Sequence, residues 1–205
     1  MKDDTILDIF GNKLTRKDLH TSLVETHEEI TVAIFEEVIS REGPGLIPEG
    51  AWQILKEVAH ARSRLVPFLS FAQKTDNVIV EIQYLPELND IFRCLETSVE
   101  YVVDNYEELG KKSDFHTSWT KDGIKEVTKL LLQDIPSYPS QIMKSDNIRV
   151  SSDTLKLTKN MFSLVLYAIM GKKDYDRFAA ESRLAMKTLA RYQREFIQTD
   201  KKTIN

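Results

Sequence analysis

The chain has 205 residues, of which 41% are hydrophobic and 29% are charged, with seven glycines and six prolines. This length suits one domain with its own core, and this composition is typical of a globular protein and excludes collagen-like and low-complexity classes. A single cysteine excludes an internal disulfide framework, and no apolar run reaches bilayer length. We therefore expect a cytoplasmic protein with no membrane association.

Charge is distributed unevenly along the chain, whose formal net charge is −4. Residues 1–110 contain 10 Lys and Arg against 21 Asp and Glu, whereas residues 144–205 contain 13 against 7. Two interpretations fit this asymmetry. An acidic half could lie beside a basic half, or an otherwise acidic protein could carry a basic docking surface.

The N-terminal residues predict a small hairpin followed by a helix. "ILDIFGNKLT" could turn about Gly11 and Asn12, although no further partner strand is evident. Thr15 is a candidate N-cap, and "EGPG" at 42–45 should end the helix near Arg41. Residues 77–84, "NVIVEIQY", are β-branched and predict either a short strand or an extended linker.

Proline and glycine predict the bounds of the next two helices. Pro48 should open the second, which runs towards Gln73 and which Pro67 should kink or split. Pro86 should open the third, with Gly110 just after its end.

Three further helices complete the predicted pattern. The fourth should begin at Ser118–Thr120 and end before residue 134. The fifth should begin at "SSDTLKL" and close at Gly171, and the sixth should be capped by Asp174 and run to Thr199. We therefore predict a single all-α domain over residues 1–205, built as a bundle of about six helices.

The stretch "VETHEEITVAIFEEVIS", residues 24–40, contains a histidine and five glutamates among apolar residues. At 100° per residue His27 falls within an apolar face, and His20 lies near the same line. Glu25, Glu29 and Glu36 share the strip left for water. We therefore interpret the glutamates as solvated and the histidine as part of the core, although a haem bound through His27 or His20 stays open.

Other residues that could support chemistry form no motif. "EVAH", Glu57 to His60, lacks the second Glu-x-x-His copy of a di-iron bundle, and zinc spacings are absent. Cys94 shares a helical face with apolar residues and is expected to be a small buried side chain. His116 stands in a polar loop and is a candidate for a pocket rim.

The last predicted helix carries a basic stripe, which consists of Arg183, Lys187, Arg191 and Arg194. Their spacings of four, four and three residues bring them onto one side of a helix. Like charges at i and i+4 repel, so solvent, the acidic half of the chain, or an external acidic partner should compensate. Tyr192 lies nearly opposite the stripe, which makes nucleic acid an unlikely partner.

We expect a non-catalytic regulatory or interaction protein that docks an acidic partner or a second copy through this stripe. The expectation rests on charged surfaces and on the lack of a convergent set of reactive groups. The alternative is a ligand-binding or haem-binding sensor or enzyme with a pocket between helices, lined by His27 and His20.

Overall fold

The computed structural model describes residues 6–7, 13–14, ten residues between 25 and 40, and the ranges 49–72, 75–134, 147–184 and 187. The helices are α1 (residues 25, 28, 29, 31–34, 36, 37 and 40), α2 (Glu49–Ala72), α3 (Leu85–Asp104), α4 (Tyr106–Ser113), α5 (Lys121–Gln133), α6 (Ser152–Met170) and α7 (172–184 and 187). The strands are β1 (Ile6–Leu7), β2 (Lys13–Leu14), β3 (Asn77–Glu81) and β4 (Asn147–Ser151). The fold is all-α, a helical bundle with two small sheets, as the sequence predicts.

The core lies between α6 and the helices that surround it. Apolar residues fill nearly the whole circumference of the C-terminal half of α6, and α2, α3, α4 and α5 all contact this helix. A helix that is apolar on every side is stable only when others cover it. The buried residues of α2, α3, α5, α6 and Phe178 of α7 form one continuous cluster.

Each of the two sheets is a pair of antiparallel strands. Ile6 pairs with Leu14, which confirms the predicted N-terminal hairpin. Residues 77–81 are a strand rather than a linker, and their partner β4 was not predicted. Val78 pairs with Val150, and both face the core, whereas Ile79, the next residue of β3, is exposed.

Three predicted helix ends are confirmed by their local chemistry. The Thr120 side chain accepts a hydrogen bond from the backbone N–H of Gly123 at 3.1 Å, and Ser151 caps α6 in the same way. Gly171 closes α6 with a φ of 83°, a conformation that costs a side-chain-bearing residue free energy.

Other predicted boundaries are wrong. The third helix divides at Asn105 into α3 and α4, and Gly110 lies inside α4. Asp114, with a φ of 57°, terminates α4 instead, because its short polar side chain tolerates the left-handed region. Gly110 is needed for space, since a Cβ there would approach Nδ1 of His116 to 2.8 Å.

Two expectations about a helix-breaking proline and a helix cap also need correction. Of the two outcomes predicted for Pro67, a kink or a split of the helix, the split is wrong, because α2 continues to Ala72. Leu65 and Phe68 are buried on either side of it, and their burial offsets the cost of about 3 kcal/mol that a proline inside a helix carries. Asp174 is not the cap of the last helix, because α7 is already helical at residue 172. The start of the first helix at Thr15 lies outside the described residues.

Candidate docking surface on the last helix

The structure describes two of the four residues of the basic stripe. Arg183 and Lys187 are exposed on α7. Arg191 and Arg194 lie outside the described residues, as do His27 and His20. The haem pocket that these two histidines would line therefore stays a prediction.

The inner face of α7 is held by aromatic side chains. Phe178 is 0% exposed, and the ring of Tyr175 meets that of Tyr167 of α6 edge to face at 5.6 Å. Complete burial of a phenylalanine side chain stabilises the fold by roughly 1.5–3 kcal/mol relative to leaving that side chain exposed. The orientation of α7 is therefore fixed by packing, and its opposite side faces outward.

Arg62 of α2 also contacts this inner face. Its guanidinium lies 5.6 Å from the ring centroid of Phe178, and Nη1 has no hydrogen-bond partner. Burial lowers the pKa of Arg62 because desolvation disfavours the charged form, and Tyr175 partly opposes this shift. The contact of the Arg62 cation with the face of the Phe178 ring offsets part of the desolvation cost of Arg62. Arg62 therefore helps to hold α7 against α2.

The outward side of α7 is strongly basic. We call its four exposed cations the α7 basic face: Lys172, Lys173, Arg183 and Lys187. Lys172, Arg183 and Lys187 fall within about 60° of one another at 100° per residue. Asp176 is the one acidic residue exposed on the described part of α7, and Leu184 beside the cations is 67% exposed.

The acidic residue nearest to the stripe in sequence does not neutralise it. Glu181 pairs with Arg177, with Oε1 and Nε 3.3 Å apart. Within the ranges described, no carboxylate forms an ion pair with Arg183 or Lys187. Of the three compensations expected from the sequence, the one from the acidic half of the chain is therefore not found at Arg183 or Lys187 among the described residues.

The fold adds two lysines that the sequence pattern does not reveal. A Cβ built on Gly171 would lie 3.9 Å from Cε of Lys112, so the end of α4 reaches the start of α7. Lys111 and Lys112 are both exposed at this end of α4, and Lys172 directly follows Gly171. The separation of about 60 residues in sequence hides this contact, which lengthens the basic surface beyond one helix.

A second row of lysines has a different character. Lys121, Lys125 and Lys129 are exposed on α5 at four-residue spacing, but Asp122 and Glu126 follow two of them directly. Alternating signs of this kind are typical of a solvated helix face. The α5 row therefore serves as a reference for what an ordinary surface of this protein looks like.

The glutamates of the first helix are exposed as predicted. Glu25, Glu29 and Glu36 all point to solvent, whereas Ile34 is partly buried against the core. Glu28 contacts the ring of His60 on α2, Oε1 to Nδ1. His60 therefore links α1 to α2, and this contact gives the lone Glu-x-x-His sequence a structural role.

The remaining candidates for chemistry are isolated. No group of three or more His, Cys, Asp or Glu in the described part of the chain is placed to hold a metal ion. Burial raises the pKa of the Cys94 thiol to about 12, a shift to which Glu57 adds, so the thiol is protonated at neutral pH. His116 is exposed and edge-on to Phe115.

The outward side of α7 thus carries four exposed cations and one exposed acidic residue among the residues described. Among the helices described, none is both long and apolar enough to cross a bilayer. Comparison with protein-family models, with curated proteins and with solved structures finds no match to this chain.

Proposed function

We propose that the protein is a non-catalytic interaction module of the cytoplasm that docks an acidic protein surface on the α7 basic face. The observation that supports this most is the lack of a described ion-pair partner for Arg183 and Lys187 on a helix whose other side is firmly packed. Exposed charge pairs contribute about 0.2–1 kcal/mol each. Arg183 and Lys187, with Lys172 in the same arc, would together supply a weak, salt-sensitive association.

A protein partner fits this surface better than nucleic acid. Single-stranded nucleic acid is bound by aromatic rings set among cations. On α7 both described aromatics, Tyr175 and Phe178, belong to the inner side and contact other helices. The exposed Leu184 instead offers the apolar contact that protein interfaces place among their polar residues.

Binding of a fluorescein-labelled acidic peptide, rich in glutamate and alanine and about 20 residues long, tests the proposal by fluorescence anisotropy. We expect wild-type protein to bind it and to lose affinity as salt rises, since the screening length falls from about 10 Å at 0.1 M to 3 Å at 1 M. The double variant R183E/K187E should bind at least about tenfold more weakly, which corresponds to 1.4 kcal/mol.

The matched control is K125E/K129E on α5, which changes the same charge at the same spacing. It should bind the peptide as wild type does. Equal weakening by both variants would mean that net charge alone drives binding, and unchanged binding by R183E/K187E would remove α7 from the interface. Either result contradicts the proposal.

A further inference from the structure

We infer that the acidic partner of the α7 basic face is a second copy of this chain, which docks through the exposed glutamates of its α1. This inference rests on the docking function proposed above and names the partner. The glutamates of α1 have no role in the docking proposal itself, and this inference assigns them one.

The acceptor is the α1 glutamate face, which we define as Glu25, Glu29 and Glu36. All three are exposed, and at 100° per residue they lie within about 40° of one another. Residues 24–40 contain no lysine or arginine. This face is more one-sided in charge than α7, where the exposed Asp176 falls within the arc of Lys172, Arg183 and Lys187, and a four-residue step of about 6 Å occurs on both.

Among the described residues, the two faces form no ion pair with each other within one molecule. The described contact of α1 with α2 is at His60, and that of α7 with α2 is at Arg62. Two residues along a helix are about 200° apart around its axis, so α1 and α7 approach α2 from nearly opposite sides. Each face is left exposed for another molecule.

The acidic side of α3 is a weaker acceptor than α1. Glu96, Glu100 and Asp104 are exposed along α3, but the exposed Arg93 falls within the same arc. Asp90, at the start of this row, is already 3.7 Å from Nη2 of Arg64. An incoming basic helix would meet a cation on α3, which it would not meet on the described part of α1.

A charge swap tested by sedimentation velocity distinguishes these surfaces. We expect the wild-type protein to self-associate at low salt with a dissociation constant of about 1–100 µM, the range of weak, transient contacts. The variants R183E/K187E and E25K/E29K should each lose at least about tenfold in affinity. Mixing the two variants should restore association, because the reversed α7 of one then meets the reversed α1 of the other.

Two matched controls keep the result specific. E96K/E100K on α3 and K125E/K129E on α5 change the same number of charges at the same spacing and should associate like wild type. Circular dichroism of every variant confirms that it is folded. Failure of the mixture to associate, or loss of association in E96K/E100K with retention in E25K/E29K, would overturn the inference.

The proposed docking function and this inference fail in different ways. A wild-type protein that stays monomeric at low salt but binds the acidic peptide through Arg183 and Lys187 would refute the second copy and leave docking intact. A protein that neither associates nor binds the peptide would refute both.

Discussion

Arg62 and Arg64 stand two residues apart on α2 and have opposite environments. Arg64 pairs with Glu87 of α3, Nε to Oε1, at 3.4 Å and remains partly exposed. Arg62 lies over Phe178 with one nitrogen lacking a hydrogen bond. The 200° rotation between them places one at an ion pair and the other in the packing against α7. The sequence alone does not distinguish the two, because both are arginines in a helix whose neighbours are not yet known.

Cys94 provides a prediction at the scale of one residue. Its folded pKa of about 12 lies above the ordinary 9.0, mainly because burial disfavours the thiolate. We expect iodoacetamide at pH 8 to alkylate the folded protein at least about a hundredfold more slowly than the urea-unfolded chain, since each pKa unit is a tenfold change in thiolate. Mass spectrometry over time measures both rates.

The same shift sets the sign of a pH effect on stability. Between pH 9 and 12 the unfolded chain loses the Cys94 proton while the folded chain keeps it. The stabilisation from this group is therefore complete below pH 9 and is lost as the pH rises towards 12. Equal alkylation rates in the folded and unfolded states would show that the thiol is not buried as described.

At the scale of one element, α7 can dock only if its inner face holds it in place. We expect Phe178→Ala to cost about 3–5 kcal/mol of the free energy of unfolding, as removal of a fully buried aromatic ring does. It should also weaken binding of the acidic peptide although every cation is kept. Urea unfolding gives the stability, and fluorescence anisotropy gives the binding.

Leu184→Ala is the control for the stability part of that prediction. Leu184 is 67% exposed on the same helix, so its truncation should change stability by no more than about 0.5 kcal/mol. Should Phe178→Ala be as mild as Leu184→Ala, α7 would not be anchored through its inner face, and its orientation would need another explanation.

The elements that the sequence predicts well are those with local signals. Thr120, Ser151 and Gly171 mark helix ends through a side-chain cap or a positive φ, and these depend on nearby residues alone. The division of α3 from α4 at Asn105 is not marked in the sequence by a proline or a glycine. Strand β4 was missed because its pairing with β3 joins segments about 70 residues apart.

At the scale of the whole molecule, the sequence predicts the charge asymmetry but not its geometry. The excess of acid before residue 110 and of base after residue 144 can be counted directly. That Lys112 reaches Gly171 depends on tertiary packing, as does the placement of α1 and α7 on opposite sides of α2. The basic stripe and the strip of α1 glutamates were therefore predictable as patterns, whereas the extension of the basic surface through Lys112 was not.

The central claim is that two copies of the wild-type protein associate through the α7 basic face, and lysine acetylation followed by mass spectrometry tests it without any substitution. Protein is labelled at about 20 mM and about 500 mM salt, where the screening length is long and short respectively. Lys172 and Lys187 should react more slowly at low salt, when the interface forms, and Lys125 and Lys129 of α5 are the internal reference. Protection of the two α7 lysines relative to the α5 lysines is the predicted result, and equal reactivity of all four at both salt concentrations would contradict the claim.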